Sequence, residues 1–136
     1  MNKIAGEIHK ITSSGNISLV EAKVEDIIMA AIVIGKPDNT AYMKEGRKIY
    51  LLFKESEVSL AKDFKGQISL RNQLEGTIRN IENGEVFSKV VFVFHSNEIV
   101  SLITRGSAER LELKAGDRIT GMIKANEVII MDGDEQ

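Results

Sequence analysis

The feature that most constrains this chain is an internal duplication. Residues of the first half recur in the second at an offset of 70, as in 72 − 2: Asn2 and Asn72, Gly6 and Gly76, Ile8 and Ile78, Gly46 and Gly116, Ile49 and Ile119, Lys54 and Lys124. The dipeptides Glu57-Val58 and Glu127-Val128 keep the same offset, and only Gly15 aligns better one position short, with Gly84. An offset held at both ends of the unit marks a tandem copy rather than chance likeness between β-rich segments. The copies occupy residues 1–63 and 67–136, linked through residues 62–66. A unit of about 60 residues buries little surface alone, so the copies are expected to pack closely and the chain to oligomerise.

Each copy is written in short runs of β-branched and aliphatic residues separated by turn signals, which favours strands over helices. In the first copy the runs are 4–11, 17–24, 27–34, 48–54 and 57–60, with a helical turn expected before Lys44. In the second they are 73–81, 86–94, 98–104, 118–124 and 127–131. A short helix is expected from Gly106, with Ser107 as its N-cap and Glu109 in its first turn. Residues 27–34 are apolar enough to predict burial on both faces. Five strands and a helical turn, repeated, predict an all-β chain of two tandem OB-like barrels. Gly6 and Gly76, inside the first strand of each copy, allow the bend that a small barrel needs.

Composition removes several function classes. Net charge is −2, so the chain has no general attraction for nucleic-acid backbones or anionic lipid, and any anion site must be local. There is no cysteine, which excludes disulfides and thiolate metal sites. No apolar run is long enough to span a membrane. The N-terminus lacks the apolar core of a signal peptide, so a cytoplasmic protein is expected. His9 and His95 have no spacing suited to a metal, and no nucleophile–base order or carboxylate pair stands out, so no enzyme is expected. Phe92 and Phe94 fall on one strand face. They read as core or interface, or as stacking platforms for bases in an OB protein that binds single-stranded nucleic acid.

The richest stretch is Ser69-Leu70-Arg71-Asn72-Gln73-Leu74-Glu75-Gly76, which opens the second copy. If extended, it puts Ser69 and Arg71 on one face and Asn72 on the other. Rich in donors and poor in carboxylates, it suits a small anion rather than a metal ion. Three further blocks follow: Ile103-Thr104-Arg105-Gly106-Ser107-Ala108-Glu109-Arg110-Leu111, Leu113-Lys114-Ala115-Gly116-Asp117, and Ile123-Lys124-Ala125-Asn126-Glu127-Val128. Together the four blocks resemble the Mop (molbindin) family, whose fold is called TOBE. The second copy carries the full pattern and the first a diverged version. One departure is Leu70, where the family more often has alanine.

The resemblance implies binding of molybdate or tungstate between barrels, at subunit contacts of a homo-oligomer, a trimer or dimer. It assigns Ser69, Arg71, Lys124 and Ala125 to one group of ligands, with Asn72 beside them. Thr104, Ser107 and Ala108 match a segment contributed from across the interface. Molybdate is a tetrahedral dianion whose oxygens only accept hydrogen bonds near neutral pH. Arg71 brings five N–H donors and Lys124 three, and the hydroxyls and a helix N-terminus add more. Phosphate, partly protonated, wants an acceptor; sulfate must be rejected by size. Storage or buffering of the oxyanion is the function implied. The alternative is a molybdate-responsive regulatory or adaptor module acting through a protein partner. No Gly-x-x-x-x-Gly-Lys-Ser/Thr loop is present, which argues against an ATPase, and no room remains for a helix-turn-helix. In the first copy Thr104, Ser107 and Ala125 are replaced by Ile34, Pro37 and Glu55, so the copies are expected to be unequal.

Overall fold

A computed structural model describes residues 1–35 and 41–133. The strands are β1 (Asn2–Ser14), β2 (Ile17–Val24), β3 (Ile27–Ile34), β4 (Lys48–Phe53), β5 (Ser59–Ala61), β6 (Asn72–Asn83), β7 (Phe87–Phe94), β8 (Asn97–Thr104), β9 (Arg118–Ile123) and β10 (Ile129–Asp132). The helix α1 (Arg105–Arg110) follows β8, and 3-10 turns Glu55–Glu57 and Ala125–Glu127 follow β4 and β9. The helical turn expected up to Lys44 is not formed over residues 41–44, where Ala41 and Tyr42 make a turn; Thr40 lies outside the described residues.

The chain is all-β, as expected. It forms two five-stranded antiparallel sheets, ordered β10-β4-β1-β2-β3 and β5-β9-β6-β7-β8. Each curls until its outer strands touch, β10 against β3 and β5 against β8, giving an OB-like barrel. Alternation makes the cores. In β2, Ser18, Val20, Ala22 and Val24 turn inward while Ile17 and Lys23 face out. Ile4, Ile8, Met29, Ile49, Leu51 and Phe53 fill one barrel, and Leu74, Ile78, Phe92, Ile99 and Ile123 the other, all at most 2% exposed. Each such side chain contributes about 1.5–3 kcal/mol relative to exposure. β3 is less buried than its composition predicts. Only Met29, Ala30 and Ala31 are covered, and Ile34 is 71% exposed. One face of a barrel strand points away from the core, which leaves side chains of β3 such as Ile34 on the outer surface.

The packing units differ from the sequence copies. One unit comprises Met1–Phe53 with Lys124–Gln136, the other Lys54–Ile123. The cause is an exchange of tail strands. β5, encoded at the end of the first copy, pairs with β9 of the second, Ala61 opposite Thr120. β10, encoded at the end of the second copy, pairs with β4 of the first, Met131 opposite Tyr50. Each barrel thus borrows its fifth strand from the sequence copy that supplies most of the other barrel.

The first-strand glycines also act differently from the expectation. Neither has positive φ. The irregularity lies just beyond them, where pairing slips between Ile8 and Lys10 and between Ile78 and Asn80, so that His9 and Arg79 are the extra residues of two β-bulges. The glycines instead permit close approach. A Cβ on Gly76 would collide with the Val93 carbonyl of β7.

Candidate oxyanion site

Arg71 and Lys124 each adjoin in sequence a residue that ends the β6–β9 ladder. The β6–β9 ladder ends at the pair Asn72–Ile123. Arg71 precedes Asn72 and Lys124 follows Ile123, so both basic residues leave the ladder at the same end. The expected strand across residues 69–72 starts only at Asn72, which leaves Ser69 and Arg71 exposed on the irregular approach to it. Lys124 is exposed and extended (φ −70°, ψ 140°), and Ala125, partly buried, opens the 3-10 turn. That turn is closed by N–H donation from Glu127 to Lys124 O at 2.9 Å and from Val128 to Ala125 O at 3.3 Å.

Asn72 sits differently from its neighbours. It is fully buried, and no buried side-chain nitrogen or oxygen among the described residues lacks a hydrogen-bond partner. Its counterpart Asn2 is also buried, opposite Phe53. A buried asparagine thus opens the first strand of each copy.

The second group surrounds α1. Thr104 is the N-cap: its Oγ1 accepts from the Ser107 N–H at 3.1 Å and donates to Ser107 Oγ at 2.9 Å. The expectation of Ser107 as the cap is corrected. The cap lies three residues earlier, and Ser107 falls in the first turn, held by the true cap. Ala108 is buried at 6% exposure. The helix is tied to the β6–β7 hairpin by Arg105, whose backbone N–H donates to Val86 O at 2.8 Å and whose Nη1 donates to Gly84 O at 3.2 Å. Thr104 and Ser107 line a cleft of about 390 Å³ with Arg110, Phe87, Ser56 and Ser59. No carboxylate lines it. Ser56, Ser59 and Arg110 were not anticipated. The two serines reach this cleft only because β5 is exchanged, which residue patterns do not reveal.

The two groups do not line one cleft. Neither Ser69 nor Arg71 reaches the cleft of Thr104 and Ser107. Asn72 opens β6, whereas Thr104 pairs with Phe87 beside the far end of β6, where Asn83 pairs with Ser88. The two ends are up to about 36 Å apart along the strand.

Other constellations take structural roles. Phe92 and Phe94 are 0% and 2% exposed, so these rings are core and offer no platform to a base. His95 occupies the β7–β8 turn at φ 54° and meets Phe94 edge-on at 4.7 Å between centroids. Among the described residues no three His, Cys, Asp or Glu side chains cluster as a metal site, and no helix is long and apolar enough to cross a membrane.

The TOBE domain family matches residues 68–130, a span that holds all the expected site residues. Molybdenum-pterin-binding protein 1 of Clostridium pasteurianum is 37% identical over 65 residues, which cover 47% of this chain and 96% of that protein. The chain belongs to the Mop/TOBE family. Its two Mop copies also align along 134 residues with the molybdenum transport protein ModE of Herbaspirillum seropedicae, at 29% identity over 95% of this chain. They span about half of that relative, 49% of its length. In three dimensions the Mop pair superposes on the cytoplasmic molybdate-binding protein ModG, solved with molybdate bound. The TM-score is 0.91 at 26% identity, covering 96% of this chain and 95% of that one.

Proposed function

We propose that this chain binds molybdate or tungstate and holds it for storage and homeostasis in the cytoplasm, without catalysing a reaction. The observation that carries the reading is the second Mop copy. It keeps Ser69, Arg71, Thr104, Ser107 and Lys124 on the surface in a chain that superposes along its length on a molybdate-binding relative. Charge-assisted hydrogen bonds to such an anion contribute roughly 1.5–3 kcal/mol each. Ala108 and Ala125 add backbone and small-residue packing, while Asn72 acts by fixing the strand from which Arg71 projects. The two donor groups lie towards opposite ends of β6, which supports a site completed by a second copy of the chain, in a closed homo-oligomer such as a trimer or dimer. The first copy contributes less. Ile34 stands exposed where the second copy has Thr104, and Glu55 replaces Ala125.

Thermal melting tests this. Molybdate or tungstate at about 1 mM raises the melting temperature, because a ligand that binds only the native state stabilises it. Sulfate and phosphate give much smaller shifts. No shift with either metal oxyanion ends the proposal. A monomer in light scattering, with and without molybdate, removes the shared-site part of it.

The alignment with half of ModE favours a second reading, a molybdate-responsive module that acts through a protein partner. Molybdate-dependent retention of a partner in a pull-down distinguishes that role from storage.

A further inference from the structure

The exchange of tail strands comes with a reversal of charge. In one barrel Lys62, just beyond β5, meets Asp117 at 3.3 Å. In the other, Asp132 at the end of β10 meets Arg47 at 3.4 Å. Lys62 and Asp132 are counterparts at the offset of 70, and so are Arg47 and Asp117. The two barrels thus carry the same ion pair with its signs inverted. These pairs are partly shielded, with side-chain exposures of 23% and 13% for Lys62 and Asp117 and 37% and 17% for Arg47 and Asp132.

The inversion matters because a barrel has two candidates for its fifth strand, its own tail or the tail of the other copy. Both tails are short apolar segments of matching register, and hydrophobic pairing alone discriminates poorly between them. Own-tail pairing would set Lys62 against Arg47 and Asp132 against Asp117, two like-charge encounters in place of two opposite-charge ones. The surroundings sharpen the contrast. Lys62 Nζ also donates to Leu111 O and Glu112 O, both at 3.1 Å. Asp132 in that place would face two carbonyls and a carboxylate, all acceptors. Lys114, which approaches Asp117 at 3.6 Å, is 75% exposed and offsets this only weakly.

We propose that Arg47, Lys62, Asp117 and Asp132 form a charge code that selects exchanged over own-tail pairing and so makes the two Mop copies interdependent for folding. A single-copy chain pairing with itself cannot carry such a code, since its two barrels are identical. A duplicated chain can. The principle is specificity by repulsion of the wrong partner.

The test uses the absence of cysteine from the native chain. Ala61 opposes Thr120 in the exchanged pairing and, by the offset, would oppose Tyr50 in the alternative. Facing strand residues lie within disulfide reach. Cysteines at 61, 120 and 50, equilibrated in a thiol redox buffer, report the ratio of the 61–120 to the 61–50 product within one chain by peptide mass. The native charges give predominantly the 61–120 product. The tail swap Lys62→Asp with Asp132→Lys lowers that ratio by about tenfold or more, two attractions having become two repulsions. Adding Arg47→Asp and Asp117→Arg to the swap restores it. Should the tail swap unfold the chain, refolding by the fourfold reversal supports the code equally. A ratio unchanged by the swap, or a defect that the fourfold reversal does not repair, overturns it.

Discussion

The duplicated glycines give an internal control for how close packing shapes each barrel. Gly6 and Gly76 occupy the same place in the fold, each just before a bulge, yet what an added methyl group would meet differs. At Gly6 the new Cβ lies 3.0 Å from Leu51 Cδ1 and Val24 Cγ2 and 3.1 Å from Lys23 O. Two of those neighbours are side-chain methyl groups that move by a few tenths of an ångström. At Gly76 it collides with the Val93 carbonyl oxygen and lies 2.9 Å from the carbonyl carbon, with Phe92 Cδ2 at 3.0 Å. That carbonyl belongs to the β6–β7 ladder and moves only with its strand. Overpacking of this kind costs about 1–3 kcal/mol, and immobile backbone puts Gly76→Ala near the upper end. Gly6→Ala stays within about 1 kcal/mol of wild type, because lost unfolded-state freedom offsets part of the strain. Urea unfolding of the three chains, read as midpoint at constant m-value, measures both costs. Equal midpoints for the two variants, or a larger loss at Gly6, would refute the reasoning from backbone approach.

Three further outcomes follow from the site and its supports. Arg71→Ala or Lys124→Ala weakens molybdate binding by about 2–4 kcal/mol in calorimetry, whereas Lys54→Ala, in the same backbone conformation (φ −72°, ψ 147°), costs less than about 1 kcal/mol. Thr104→Ala removes the cap of α1 and lowers stability by about 1 kcal/mol in chemical denaturation. Burial raises the Asp117 carboxyl, but donation from the Lys114 N–H and the Lys62 ammonium outweighs it and holds the group below the usual carboxylate range. The stability it contributes is complete above its unfolded pKa and fades as pH falls through the lower native value. Asp117→Asn therefore loses less stability than wild type between about pH 5 and pH 2.

Much of the architecture was legible because it is local. Alternation, turn residues and the offset of 70 are properties of neighbouring positions, and they place all ten strands within a few residues of their observed bounds. β5 and β10 are foreseen as strands but not as exchanged ones. Their partner is decided far along the chain, by contacts that a hydrophobic pattern shared by both tails does not distinguish. The signs of Arg47, Lys62, Asp117 and Asp132 are plain in the sequence, yet they acquire meaning only once the pairing is known. At the site, Ser69, Arg71, Thr104 and Lys124 are exposed, whereas Asn72 is buried. Its amide resembles a ligand in composition, and its burial, repeated at Asn2, becomes visible only in the fold. Thr104 and Ser107 are both good caps, and the choice between them depends on where β8 releases the chain.

The central claim is that the second Mop copy supplies most of the donors of a selective oxyanion site. Isothermal titration of the full chain with molybdate, in parallel with sulfate and phosphate, tests it most directly. The account predicts saturable molybdate binding with fewer than two equivalent full sites per chain, and weak or undetectable heats for the other two anions. Equal affinity for sulfate, or no molybdate binding at concentrations of about 1 mM, would contradict it.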